Sequence, residues 1–382
     1  MTRTARQSRV TAVMAKPPVL LLTLLMAASP AGAQSPGSAS DWAQQQAKLV
    51  AAAQREGKVV ILAPPDTQVR QVLPAAFKAR YGVAIDYLGG RSSESAAKMR
   101  AEREAGIYTI DVALAGIQTM ATIFYREKML TPLRPLLIDP DVVDPSKWKA
   151  GKLWFMDPDQ QYILRLFSTA GANLYVNTRF AKPSDFHLAR DLLDPKWKGK
   201  ISMHDPTVPG TGSNQAARFY VKFGEDYVRR LYIDQQPGIA RDRRQITDWL
   251  ARGRYPVSID AERDEVERLK ADGLPVEAVY NLPDMPGTLS AGVGELAVMD
   301  HAPHPNAAQL FANWIASKEG LELYARTRTE SPTRNDTDEK SFLPPEIIPR
   351  PDVDYFDTFE WQFTLTTKEQ VRLRMKELMQ QR

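Results

Sequence analysis

Short apolar runs separated by helix-length stretches that end on glycine constrain this chain more than any other feature. Residues 58–63 read KVVILA, 83–88 read VAIDYL and 110–115 read IDVALA. Between them, Asp66 to Arg80 places Val69, Val72, Leu73, Ala76 and Phe77 at helical spacing before Gly82, and Ser92 to Ala105 ends at Gly106. Strand-length β-branched runs alternating with such helices predict βαβ units and a mostly parallel sheet, because parallel strands need a long crossover. A helix over 41–55 leads in, and another at about 117–127 follows. Residues 131–160, rich in Pro, Asp and Trp, read as a long connection. The alternation resumes with KISMH at 200–204, YPVSI at 255–259 and VEAVY at 276–280, with helices across 212–235, 243–252 and 262–272. An extended stretch at 289–299, helices at 305–316 and 318–327, and an amphipathic helix at 367–381 complete the chain. Single cores stop growing at about 250–300 residues, and this chain has 382. The expected architecture is therefore α/β with two lobes. Residues 34–172 and 287–340 form the first and 173–286 with 341–382 the second, joined by two hinge strands near 172 and 287.

The N-terminus reads as a secretory leader. Arg3, Arg6, Arg9 and Lys16 precede the apolar run VLLLTLLMAA at 19–28, and Ala31 and Ala33 supply the small residues before a cut after Ala33. Ten apolar residues span only about 15 Å, half a bilayer core. No cysteine follows for lipid attachment and no Arg-Arg pair precedes the run, so the general secretory route to the periplasm is expected. The leader also explains the charge. The whole chain carries +4; removing the four leader cations leaves 4 − 4 = 0, which gives no case for nucleic-acid or membrane-surface binding. The absence of cysteine excludes disulfides, zinc–thiolate sites, iron–sulfur clusters and a thiol nucleophile.

In open parallel sheets ligands sit beyond the carboxyl ends of the strands, and the loops there can be read directly. Gly89-Gly90-Arg91-Ser92-Ser93 opens a helix after a strand. Its glycines allow close approach, the first helical amides are unpaired, and Arg91, Ser92 and Ser93 add donors suited to a carboxylate or phosphate. Plain helix capping with a solvated Arg91 is the bland reading. Gly210-Thr211-Gly212-Ser213-Asn214 is a nest of amides and hydroxyls at another helix start, though not a Walker loop, because no Lys follows; a well-capped flexible turn is its bland reading. Ala115-Gly116-Ile117 and Asp260-Ala261-Glu262 are further strand-end loops. Asn177, on the proposed crossover, could reach the cleft. Catalytic patterns are poor: no G-x-S-x-G or H-E-x-x-H occurs, and His301-Ala-Pro-His304 falls in a turn before a helix, where capping outweighs metal binding.

Three segments carry a resemblance: DLLDPKWKGKISMHDPTVPGTGSN (191–214), LARGRYPVSIDAERDEVERLKADGLPV (250–276) and AGVGELAVMDHAPHPNAAQLFANWIASKEGLELYA (291–325). With the leader, the chain resembles bacterial solute-binding proteins of ABC importers, of the group that includes ferric-iron, thiamine and polyamine binders. The resemblance covers about residues 41–340. It implies a type II periplasmic-binding-protein fold, a ligand trapped between lobes, delivery to an ABC permease in the inner membrane, a monomer, and no cofactor, metal or catalysis. It also implies a synergistic-anion contact at Gly210–Ser213. The tandem tyrosines of the iron binders are replaced by Asp260-Ala261-Glu262, so hard Fe(III) lacks its phenolates. The expected ligand is a small organic anion held by Arg91, Ser92 and Ser93 from one lobe and Thr211, Gly212 and Ser213 from the other, with Gly116, Asn177, Gly210 and Asp260 nearby. A ligand-sensing subunit for a receptor, a ferric binder with atypical ligands and a secreted hydrolase are the alternatives.

Overall fold

The computed structural model describes residues 39–90, 92–285 and 287–381. The expected leader lies outside them, as does Arg91. The first half is built from α1 (Ala39–Glu56), β1 (Lys58–Ala63), α2 (Thr67–Tyr81), β2 (Ala84–Gly89), α3 (Ser92–Glu104), β3 (Val112–Ala115), α4 (Ile117–Thr119, continuing in wider turns to Tyr125), β4 (Leu130–Thr131), α5 (Pro140–Val143) and β5 (Leu164–Arg165). After β6 (Thr169–Gly171) come β7 (Leu174–Asn177), β8 (Ile201–His204), α6 (Thr211–Arg229), β9 (Gly238–Ala240), α7 (Arg243–Ala251), β10 (Val257–Ser258), α8 (Arg263–Ala271) and β11 (Val276–Val279). The chain then runs through β12 (Thr288–Ser290), β13 (Glu295–Met299), α9 (Pro305–Ala316), α10 (Lys318–Arg328), β14 (Phe356–Asp357) and α11 (Lys368–Met379).

Two sheets result. The first has the order β2-β1-β3-β13-β4, with β5 also on β13. Its β1, β2 and β3 are parallel, and β13 runs antiparallel to β3. The second has the order β11-β7-β10-β8-β9, with β10, β8 and β9 parallel and β7 antiparallel to β10. Each of these two sheets thus sets one opposing strand, β13 or β7, beside three parallel ones, a more mixed arrangement than the alternation alone predicts. The antiparallel strands are those that enter from the other half of the chain.

Local chemistry sets the elements. β1 is apolar on both faces because helices cover both, so Val59 through Ala63 are all buried. Asp66 caps α2 by accepting from the Gln68 and Val69 amides, and Gly82 ends it in the left-handed region (φ 72°). The buried stripe of α2, Val69, Leu73 and Phe77, packs into α9. Phe77 meets Phe311 and Trp314 with ring centroids 5.5 and 5.2 Å apart, contacts each worth about 1 kcal/mol beyond area burial. The second half has its own core of Leu174, Val176, Ile201, Met203 and Ile259 against α6 and α11. Among the described residues no helix is long and apolar enough to cross a membrane.

The halves are joined more extensively than two strands allow. β6 and β12 pair antiparallel, and β14 pairs parallel to β12, so the third chain crossing adds a strand to the hinge. The tail is also divided. Phe342 packs on the first core, and Phe359, Trp361 and Leu365 cover the α3–α4 side of the first sheet. Val371, Met375 and Leu378 of α11 are buried in the second core. The tail expected to lie wholly in the second lobe is therefore shared: Phe356, Phe363 and α11 pack on the second core, while Phe342, Phe359, Trp361 and Leu365 pack on the first half.

Candidate functional site

The parallel strands of the first sheet end at a cavity of about 320 Å³. Pro64 and Pro65 after β1, Gly90 after β2, Gly116 and Gln118 after β3, and Val293 before β13 line it. Gly90 is fastened to the end of β1 by its amide, which donates to the Ala63 carbonyl (3.2 Å). Tyr87 Oη donates to the Pro64 carbonyl at 2.6 Å, fixing the next loop. Asp66, besides capping α2, accepts from Arg328 Nη1 at 2.8 Å. Burial works against its charged form, but the Val69 amide and Arg328 outweigh it and hold the carboxyl below its ordinary value. Ser92 and Ser93 form the first turn of α3 directly after this floor. A larger cavity, about 670 Å³, lies among α1, α2, α9 and α10. Arg80 and Tyr81 at the far end of α2 line it, so it sits at the opposite end of the sheet from the strand-end loops.

Beneath the small cavity the sheet carries an unusual acid. Glu295 pairs in register with Ala115 on one side and Arg165 on the other. It is fully buried and neither carboxyl oxygen has a hydrogen-bond partner. Burial pushes its carboxyl well above the ordinary value, with Arg165 opposing. Arg165 donates instead through Nε to the Phe167 carbonyl (2.8 Å) and through Nη1 to Asp357 of β14 (2.7 Å), and its Nη2 has no partner.

In the second half the corresponding strand-end loop joins β8 to α6. Gly210 adopts φ 133°, a conformation suited to glycine, and α6 starts at the next residue. Ser213 is fully buried and closes the turn on itself: its hydroxyl accepts the Gly210 amide (3.1 Å) and donates to the Gly210 carbonyl (2.9 Å). The Gly212 amide donates to His204 Nδ1 at 3.3 Å, which leaves the proton on Nε2, where it is donated to the Arg241 carbonyl (3.1 Å). Among the described residues this leaves the amides of Thr211 and Ser213 without protein acceptors at the positive end of a 19-residue helix. Asp205 anchors the loop through the Thr207 hydroxyl (2.6 Å) and Arg241 (2.9 Å). Removing the Ser213 hydroxyl with Ser213→Ala is expected to lower stability in a urea titration by about 1 kcal/mol, the usual worth of such a cap.

The expected site residues thus separate. Gly116 lines the cavity, and Gly210, Thr211 and Gly212 shape the opposing loop. Ser213 contributes its backbone amide, while its hydroxyl is committed to the turn. Asp260 is buried, with one carboxyl oxygen accepting the His204 amide (2.9 Å) and the other unpartnered. Burial raises its carboxyl's pKa. Asn177 does not reach the cleft. β7 runs antiparallel to β10, so its last residue lies at the amino end of the parallel strands, where the Asn177 amide donates to the carbonyls of Leu250 (2.9 Å) and Ala251 (3.1 Å).

Three residues escaped the sequence reading. His204 was legible in principle, as the last residue of a strand before a glycine loop. Arg218, two turns into α6, is fully buried, and none of its nitrogens has a partner. Burial lowers its pKa to about 10, against the attraction of Asp260. Its only sequence signal is a charge among Ala216, Ala217 and Phe219. Gln118 gave none. The two halves touch beside these loops where Lys368 Nζ donates to Gln118 Oε1 (2.7 Å); within the second half, Arg372 Nη1 donates to the Thr207 carbonyl (2.9 Å). Nearer the hinge, Arg263 Nη2 donates to the Thr329 carbonyl (3.3 Å).

Residues 72–347 match the family described as bacterial extracellular solute-binding protein. The chain belongs to that family, whose members serve ABC importers outside the cytoplasmic membrane. An uncharacterized protein of Haemophilus influenzae is 25% identical over 286 residues, 71% of this chain and 76% of that one. Among solved structures, the Mannheimia haemolytica ferric iron-binding protein A in an open conformation superposes with TM-score 0.63 at 15% identity, covering 85% of this chain and 98% of that one. The Trichodesmium protein FutA in complex with iron and citrate gives 0.61 at 16%, covering 85% and 99%. AfuA of Actinobacillus pleuropneumoniae with fructose-6-phosphate bound gives 0.55 at 22%, covering 84% and 97%. The fold is that of the type II periplasmic binding proteins.

Proposed function

We propose that this protein captures a small organic anion, a carboxylate, phosphonate or phosphate ester, between its two halves and delivers it to an ABC permease. The lobes in this reading are 34–172 with 287–340, and 173–286 with α11. The observation that carries the anion is the β8–α6 loop, two unpaired amides at a helix start held by Ser213, His204 and Asp205; in this reading they form one wall of the ligand groove and the glycine-lined cavity at Gly90 and Gly116 the other. Amides aimed into a partly desolvated groove recognise negative charge without needing a counter-cation. The bound fructose-6-phosphate of AfuA and the citrate of FutA support the same chemistry in relatives of this fold. Among the described residues no three His, Asp or Glu side chains cluster as metal ligands, and the donors present suit an anion.

Isothermal titration with fructose 6-phosphate, citrate, inorganic phosphate, Fe(III) and putrescine tests the reading. Micromolar or tighter binding of at least one anion is expected. Binding of Fe(III) or putrescine alone would sink it.

A further inference from the structure

The anion reading uses only the strand-end loops, yet α11 lies against the same groove. α11 is anchored on the second half, where Val371, Met375 and Leu378 are buried and Arg374 pairs with Glu225 at 2.7 Å. Its first turn points the other way, because Lys368 donates to Gln118, a wall of the first-half cavity. Arg372, four residues on, holds the Thr207 carbonyl. Residues four apart share one helix face and lie about 6 Å from each other. One face of α11 therefore touches both candidate walls.

We propose, resting on the anion reading above, that Lys368 is a third ligand-contacting group: tethered to Gln118, its ammonium presents its remaining donors to the bound anion and favours doubly charged ligands. An ammonium has three N–H donors, and Gln118 takes one. Its partner is a neutral amide, and no carboxylate among the described residues forms an ion pair with it. The adjacent Glu369 is exposed and is engaged by Arg372 Nε at 2.8 Å. Burial lowers the Lys368 pKa, with Glu369 opposing weakly. A partly buried cation without a counter-charge is relieved when an anion arrives beside it, and the pairing is stronger there than in open water. A compact ammonium suits a phosphate or a polycarboxylate, which spread two or more charges over several oxygens.

Titrations of fructose 6-phosphate and citrate into wild type, Lys368→Met, Lys368→Gln and Lys368→Arg test this, with thermal melts confirming that each variant folds. Lys368→Met and Lys368→Gln should weaken binding of whichever anion wild type takes by about 10- to 100-fold, the worth of a hydrogen bond to a charged group. Lys368→Arg should stay within about threefold, since it keeps the charge. Should Lys368→Met misfold, Lys368→Gln carries the test. Wild type binding while both neutral variants match it overturns the role of Lys368 alone. Arginine failing as badly as methionine overturns it too, because charge would then not be what matters. Wild type binding neither of these multiply charged anions overturns this inference, whereas the reading it rests on falls only if inorganic phosphate is refused as well.

Discussion

Gly212→Ala is expected to cost this protein its ligand: affinity should fall by more than about 100-fold, equivalent to about 2.7 kcal/mol, with a clear drop in melting temperature. A Cβ at Gly212 would lie 2.4 Å from the Asp205 carbonyl oxygen and 2.6 Å from that of His204. Both are backbone atoms at the end of β8 and cannot rotate aside. Overpacking typically costs about 1–3 kcal/mol even where side chains can yield. Relief requires the first turn of α6 to lift off β8, which breaks the Gly212–His204 hydrogen bond and displaces the two unpaired amides. Gly210→Ala is the informative comparison. The space around it is open, so its penalty comes only from φ 133° and should be about 1–3 kcal/mol. Calorimetric titration and melting of both variants check this. A Gly212→Ala protein with wild-type affinity and melting temperature would show that the close approach of α6 to β8 is not needed.

Glu295→Gln should stabilise the protein increasingly as pH rises. The folded-state carboxyl is held well above the 4.5 of a free glutamic acid by burial. Above pH 4.5 the unfolded chain releases this proton while the folded chain keeps it. The folded state then binds more protons, and stability falls with pH by about 1.4 kcal/mol per unit until the folded pKa is reached. Glutamine keeps the shape without that penalty. Between pH 5 and pH 7 the advantage of the variant over wild type should grow in urea titrations, and it should be small at pH 4. A constant difference across that range would mean that Glu295 is ionised in the fold and paired with Arg165.

Much of the fold could be read from periodicity. KVVILA, the Asp66 cap and Gly82 specify β1, α2 and its end with local chemistry alone, and all three are present. The mixed character of the sheets was less legible, because β13 and β7 read as extended but nothing local states which neighbour they join. The candidate site was half legible. The glycine loops at 89–90 and 210–212 advertise themselves, since only glycine permits φ 133° or a backbone approach of the Gly212 kind. Whether a hydroxyl such as Ser213 faces a ligand or its own turn depends on geometry that spacing does not encode. Asn177 misled because direction along β7 was unknown. Lys368 is 250 residues from Gln118, and their contact exists only once the tail has crossed the molecule.

That third crossing governs how the halves can travel. Two paired strands make a ribbon that twists about as readily as it flexes. Three hydrogen-bonded strands, β14-β12-β6, behave as a plank, since torsion would have to stretch two ladders at once. Movement of the proposed lobes is therefore expected to follow bending of this ladder rather than twisting, which would bring the opposing rims back to the same alignment.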